Sequence, residues 1–181
     1  KQDHYAASYG NLNIFTFQPD ESVVVEPVFY QMEVKNTLDD NLMLFYTKLK
    51  RDASEVLKTQ NRAISKKRKV LQKMRDLVHP LKDVLSGKNN VNVFGEILHK
   101  NWMLKKSITD QVSSAKIDVY YDKAIAAGAI GGKLLGAGGG GFLLFYVEKK
   151  NQNSVREVLS ELYELKFELD TDGTRITYYD Q

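Results

Sequence analysis

The run Lys133-Leu134-Leu135-Gly136-Ala137-Gly138-Gly139-Gly140-Gly141-Phe142-Leu143-Leu144-Phe145-Tyr146 sets five glycines among six consecutive residues directly against an apolar, aromatic-rich segment. Glycine loses more backbone entropy on folding than any other residue. Such a cluster is costly unless the chain needs positive φ or lies against something close. A curled loop of this kind can aim several N–H groups at one anion. Gly136, Gly138 and Gly141 match G-x-G-x-x-G literally, but a dinucleotide fingerprint has a strand before the loop and a helix after it. Here Ile117 to Ile130 has helical spacing, with alanines at 124, 126, 127 and 129, and Phe142 to Val147 reads as a buried strand. The Gly-Lys-Ser/Thr ending of a P-loop is absent. Spacing alone leaves two readings open: a tight helix-to-strand turn with close packing, or a loop for an anion or other ligand.

Composition narrows the class. A chain of 181 residues is one domain, or at most one and a half, and can bury a proper core. The apolar share of 43% and charged share of 27% are those of an ordinary globular protein. With no cysteine there is no disulfide framework and no thiolate metal site, which fits a reducing compartment. No apolar stretch approaches the roughly 18 residues of a membrane span. The start, Lys-Gln-Asp-His-Tyr, has neither signal-peptide character nor an initiator methionine, so the chain is expected to begin inside a longer protein. A net charge of +3 is too small to argue for nucleic acid. The densest basic run, Lys66-Lys67-Arg68-Lys69, reads as a solvated helix face without interleaved aromatics.

Outward from the glycines, the order of elements follows. Asp3 to Tyr9 suggests a short helix with Asp3 as N-cap and Gly10 as its stop. Leu12 to Phe17 and Val23 to Val25, around Pro19-Asp20-Glu21-Ser22, read as a hairpin. Asn41 to Thr47 is a third strand. Asp52-Ala53-Ser54-Glu55 fits a capping box. The long helical segment beyond it carries Leu57, Ile64, Leu71, Val78 and Leu85 at seven-residue spacing. Lysine and glutamine in its seam favour packing on a sheet over a coiled coil, and Pro80 should kink or break it. Gly87 to Asn90 is a loop. Further helices are expected at about Val91 to Lys106, Ala115 to Ala129 and Asn151 to Leu165. Phe167 to Leu169 and Thr174 to Tyr178 are expected strands around the Asp172-Gly173 turn. Strands at both ends with helices between predict an α+β domain: an antiparallel sheet with helices packed on one face.

These pieces together resemble the C-terminal half of the GHMP small-molecule kinases. Lys133 to Tyr146 is similar to that family's third motif. The nearest branch is the heptose 7-phosphate kinases and related sugar kinases. Lys1-Gln2-Asp3-His4-Tyr5-Ala6-Ala7-Ser8-Tyr9-Gly10 resembles one of their segments. Leu44-Phe45-Tyr46-Thr47 with Arg51 and Ala53-Ser54 resembles another. Trp102, Leu104 and Lys105 echo a tryptophan-leucine-lysine helix, and Ala129-Ile130-Gly131-Gly132-Lys133 leads into the loop as it does there. The departure is equally informative. The second family motif, a Gly-Leu-x-Ser-Ser-Ala-like loop for the ATP phosphates, is absent from these residues.

The resemblance implies a ferredoxin-like C-terminal domain of a cytoplasmic, ATP- and magnesium-dependent sugar kinase. The N-terminal half of the same kinase would hold most of the nucleotide, and no metal ligands are expected here. It places Asp3 at the candidate catalytic base, a role the helix-capping reading does not exclude. Gly136, Ala137, Gly138, Gly139, Gly140 and Gly141 become the loop that approaches phosphate or sugar. Arg51, Tyr5 and Tyr9 are possible substrate contacts, against the alternatives of a solvated arginine and core-packing tyrosines. The histidines His4, His79 and His99 have no metal-ligand spacing. These residues by themselves are expected to be inactive. A non-catalytic ligand-binding or protein-interaction module on the same scaffold is the other reading.

Overall fold

The computed structural model describes residues 1–49, 67–136 and 138–178. Strand β3 (Leu42–Tyr46) alternates its side chains between two faces, as does β5 (Phe142–Tyr146). The antiparallel register sets Met43 opposite Phe145 and Phe45 opposite Leu143, so like faces coincide. On the flanks, β4 (Gly131–Leu134) pairs with β5, and β6 (Tyr163–Leu165) pairs with β3. The resulting order is β4-β5-β3-β6, antiparallel throughout. The two central strands are first and third along the chain, which is the ferredoxin-like arrangement. A separate hairpin joins β1 (Asn13–Phe17) to β2 (Val23–Pro27).

One face of the sheet is covered by helices α6 (Ala115–Ala126) and α7 (Gln152–Val158). Their Ile117, Tyr121, Ala124 and Val155 meet Met43, Phe45, Leu143 and Phe145, with Trp102 fully buried among them. Each such apolar side chain stabilises the fold by about 1.5–3 kcal/mol. The other face is partly covered. Leu42, Leu144 and Tyr146 meet Leu38 of α2 (Met32–Asn41), Leu85 of α4 (Val78–Leu85) and Leu98 of α5 (Val93–Lys106), together with Leu12 and Ile14. Inside this second cluster the Tyr146 hydroxyl accepts from Asn41 Nδ2 at 3.0 Å and donates to Asn92 Oδ1 at 2.9 Å, so neither polar group is stranded.

Several expectations change. Helix α1 (Gln2–Tyr9) is capped by Lys1, with no side-chain cap bond. Asp3 is its second residue, where a carboxylate complements the helix dipole. Gly10 does end it, donating its N–H to Ala6 O at 3.0 Å. Helix α3 (Arg68–Asp76) and α4 separate at Leu77, not at Pro80. Pro80 falls in the first turn of α4, where a missing N–H interrupts no helical bond. The stripe on this pair packs largely on α5, through Leu77, Val84 and Ile97, while Leu85 reaches the sheet. The capping box at 52–55, with Leu57 and Ile64, lies outside the described residues.

The helix before the glycines also ends early, at Ala126, and β4 intervenes. The glycine run is therefore a hairpin loop between neighbouring strands, not a helix-to-strand turn. No helix follows it, so the dinucleotide fingerprint stays excluded. The helix expected at 151–165 stops at Val158, because the free edge of β3 takes residues 163–165 as β6. Residues 167–178 form no strand. Their backbone bonds go to distant groups instead: Leu169 N–H to Asp39 Oδ1 at 3.0 Å and Thr174 N–H to Ser8 O at 3.0 Å. Among the described residues no helix is long and apolar enough to cross a membrane.

Candidate phosphate-site hairpin

The hairpin is closed at its neck by the Leu135 N–H on Phe142 O at 2.8 Å. Beyond the neck it folds onto two flanking segments. Gly139 donates its N–H to Val112 O at 2.9 Å, in the turn after α5, and Gly141 donates to Leu49 O at 3.2 Å, just past β3. Thr47 completes the clamp. Its N–H and its hydroxyl both donate to Gly141 O, at 2.9 and 2.8 Å, and its Oγ1 accepts from Leu49 N at 3.3 Å. A Cβ on Gly138, which has φ +118°, would lie 2.7 Å from Val112 O, and one on Gly140 would lie 2.3 Å from Leu49 O. Those two positions are glycine because main chain meets main chain. The close-packing reading is thus realised within the chain itself, and the Gly139 and Gly141 amides are engaged internally. Gly136 differs, being exposed, with nothing near its missing Cβ.

Helix α5 runs beside β4 and brings a lysine to the hairpin. At one end Gly95 and Gly131 touch through their backbones, since a Cβ on Gly131 would lie 1.9 Å from Gly95 O. Ten residues of helix advance about 15 Å, and five residues of strand about 16 Å. Lys105 therefore arrives level with Gly136, and its Nζ donates to Gly136 O at 2.6 Å. Tyr121 braces β4 by donating from its hydroxyl to Gly132 O at 3.3 Å; burial raises its pKa. His99 Nδ1 lies 2.9 Å from that hydroxyl.

Lys133, paired across the sheet with Leu144, lies in the same electrostatic neighbourhood. Burial, followed by the charge of Lys133, pushes the Lys105 pKa down to about 8. Burial also lowers that of Lys133. Among the described residues neither lysine has an ion-pair partner, and Lys133 has no hydrogen-bond partner. The adjacent Lys106 contrasts with them: it pairs with Asp118 at 2.9 Å and lies over the Trp102 ring.

Asp3 belongs to a different unit. It is exposed on α1, beside a groove of about 470 Å³ lined by Lys1, Gln2, Phe17, Gln18 and Glu21. None of these comes from the glycine hairpin or its flanks. The Asp3 carboxylate has no ion-pair or hydrogen-bond partner among the described residues. Tyr5 and Tyr9 stack at 6.3 Å, and both rings also meet Phe15. Tyr9 remains 56% exposed, so the pair forms an aromatic surface cluster and not part of the core. Arg51 and Ala137 lie outside the described residues. Among those described, no group of three His, Cys, Asp or Glu is placed to hold a metal ion. Sequence reading missed Thr47, Leu49 and Val112. Thr47 stood in a family-like segment without an assigned role, and Leu49 and Val112 carry no motif.

The sequence model described as GHMP kinases C terminal matches residues 81–165. A curated relative, the D-glycero-alpha-D-manno-heptose 7-phosphate kinase of Campylobacter jejuni, is 28% identical over 182 residues, covering 96% of this chain and 52% of the relative. A crystal structure of a D-glycero-D-manno-heptose 1-phosphate kinase from Bacteroides thetaiotaomicron is 26% identical with a TM-score of 0.57, covering 98% of this chain and 49% of its own. The L. major mevalonate kinase with R-mevalonate, 19% identical, agrees in fold with a TM-score of 0.69 over 90% of this chain and 50% of its own. The chain thus spans about half the length of the relatives it matches. Residues 81–165 thus match the model of the GHMP kinase C-terminal region, and the chain shares its fold with about half of each of these kinases.

Proposed function

We propose that this chain is the C-terminal half of an ATP-dependent sugar kinase that phosphorylates a hydroxyl of a sugar or sugar phosphate, with a heptose 7-phosphate as the favoured acceptor. One observation carries the reading: likeness to a heptose phosphate kinase covers 96% of the chain. Phosphoryl transfer needs positioning, charge neutralisation and somewhere for the hydroxyl proton to go. ATP supplies the phosphoryl group, and magnesium neutralises charge on its oxygens. Asp3 would take the proton as the sugar oxygen bonds to the γ-phosphorus and the bond to the bridging oxygen breaks. Its carboxylate is exposed and has no partner among the described residues, which leaves its lone pairs open to a hydroxyl. The clamped hairpin offers a rigid wall for the substrate. The resemblance, not the described residues, assigns the metal and most of the nucleotide to the N-terminal half.

The test is ADP production by the full-length protein across a panel of sugar phosphates. Asp3→Asn should lower turnover by about 10²-fold or more with ATP affinity nearly unchanged. Near-normal turnover would remove Asp3 from its role. Phosphorylation of no sugar or sugar phosphate would favour a non-catalytic module on the same scaffold. The 181 residues alone should show no steady-state kinase activity.

A further inference from the structure

We propose that Lys105 and Lys133 form a subsite for a phosphate dianion at the mouth of the glycine hairpin. The proposal rests on the kinase reading for the identity of the molecule that brings the phosphate. The two cations stand on different elements, the last turn of α5 and the middle of β4, which pack together where Gly131 meets Gly95; Lys105 reaches Gly136 O, and Lys133 lies three residues before that glycine. Both are half-buried, and no carboxylate among the described residues neutralises either one. A desolvated charge without a partner is costly, and two like charges held together cost more. An apolar residue in the strand position of Lys133, between buried Gly132 and Leu134, would avoid that cost.

An ordinary solvated pair is a poor account of them. The surface lysines Lys69 and Lys100 are exposed, and Lys106 is neutralised by Asp118. Lys105 is also fixed: the 2.6 Å bond to Gly136 O holds its ammonium at the hairpin, with further N–H donors to direct elsewhere. A phosphate carrying about −1.5 to −2 charges matches two point cations better than a single carboxylate does. Its arrival would remove the repulsion between them. Phosphate on a sugar and phosphate on a nucleotide share this chemistry, and kinetics can tell them apart.

Calorimetric titration of the 181-residue chain with inorganic pyrophosphate is the direct test. Wild type should bind. Lys133→Met and Lys105→Met should each weaken binding at least tenfold, and Lys133→Arg should retain it within about threefold. Each Met variant removes an uncompensated charge but keeps an apolar stem, so folding should persist. Should one fail to fold, acetylation of wild-type lysines with and without pyrophosphate decides the matter. Protection of Lys105 and Lys133 supports the subsite, and unchanged labelling overturns it. No binding to wild type, or equal binding by all variants, also overturns it.

In the full-length kinase, Lys133→Met raising KM for the sugar phosphate alone assigns the subsite to the acceptor. Raising KM for ATP alone assigns it to the nucleotide. Unchanged KM for both, with turnover intact, sinks the subsite and leaves the kinase reading standing. Pyrophosphate binding that depends on both lysines, in a protein that phosphorylates nothing, does the reverse.

Discussion

At the glycine hairpin, main chain packs on main chain: Gly139 on Val112, Gly141 on Leu49, and Thr47 on Gly141 through two donors. At the Asp3 helix, by contrast, α1 buries no residue. It is held by Tyr5 and Tyr9 against Phe15, and by Thr174 N–H on Ser8 O. The family resemblance singles out both regions, but they have opposite mechanical characters. The hairpin is fixed by two flanking segments of the core domain and by Lys105 of α5. The helix carries its carboxylate on a lightly anchored surface unit. A rigid loop suits a role in positioning, whereas an exposed base can be set in its working place by other parts of a larger protein.

The contrast can be broken most sharply at Gly140. Gly140→Ala places a methyl group against the Leu49 carbonyl, which is main chain and cannot swing aside as a side chain would. It should cost about 2–4 kcal/mol and lower Tm by roughly 5–15 °C in calorimetry. Gly136→Ala meets nothing and should cost only about 1–2 kcal/mol, for its φ of +76°. Equal effects at the two positions would mean that the clamp is not what requires glycine. Thr47→Val preserves shape but removes the hydroxyl that ties β3 to the hairpin. A loss of about 1–2 kcal/mol in denaturant unfolding is expected.

A pH profile sharpens the same region. Lys105 has a folded pKa of about 8 against 10.5 when unfolded. Below pH 8 both states are charged, and the folded state bears the full desolvation penalty. Between about pH 8 and 10.5 the unfolded chain binds more protons, so stability should rise with pH across that window. Tyrosines also titrate near its top, so the measurement is Tm of wild type minus Tm of Lys105→Met. That difference should climb from pH 8 to 10, and a flat difference would refute the shift.

Smaller effects lie at the margins. Lys48 takes φ +59° as β3 leaves the sheet, a conformation unfavourable for a side-chain-bearing residue. Lys48→Gly should stabilise the fold by about 0.5–1 kcal/mol, less whatever the exposed bond from Nζ to Glu161 O contributes. Smallest of all, Asp3→Asn should change stability by less than about 0.5 kcal/mol, because its side chain has no hydrogen-bond or ion-pair partner among the described residues. A larger loss would show α1 to be more firmly built than its exposure indicates.

Where the sequence could be read, the information was local. Short apolar, β-branched and aromatic runs marked β1, β2, β3 and β5, and Gly10 marked the end of α1. Where reading failed, the deciding partner was distant. Glu161 to Leu165 continues a helical pattern, yet the open edge of β3 draws Tyr163–Leu165 into the sheet. Asp172-Gly173 has hairpin chemistry, yet the neighbouring Thr174 bonds to Ser8, more than 160 residues earlier. Helical spacing to Ile130 is expected to run into the glycine loop, but Gly131 and Gly132 belong to the strand on which Gly95 of α5 rests.

The linear chain by itself determined the α+β class, the apolar faces of the central strands and the need for bare backbone between Leu135 and Phe142. It did so because side-chain periodicity and glycine's missing Cβ act within a few residues. Only the tertiary structure decided that Val112, Leu49 and Thr47 meet those glycines, and that Lys105 of α5 reaches the hairpin that follows Lys133, with no counter-charge for either lysine among the described residues. Periodicity reports which face is buried; what that face meets depends on which strand edges and carbonyls remain open once the chain has folded.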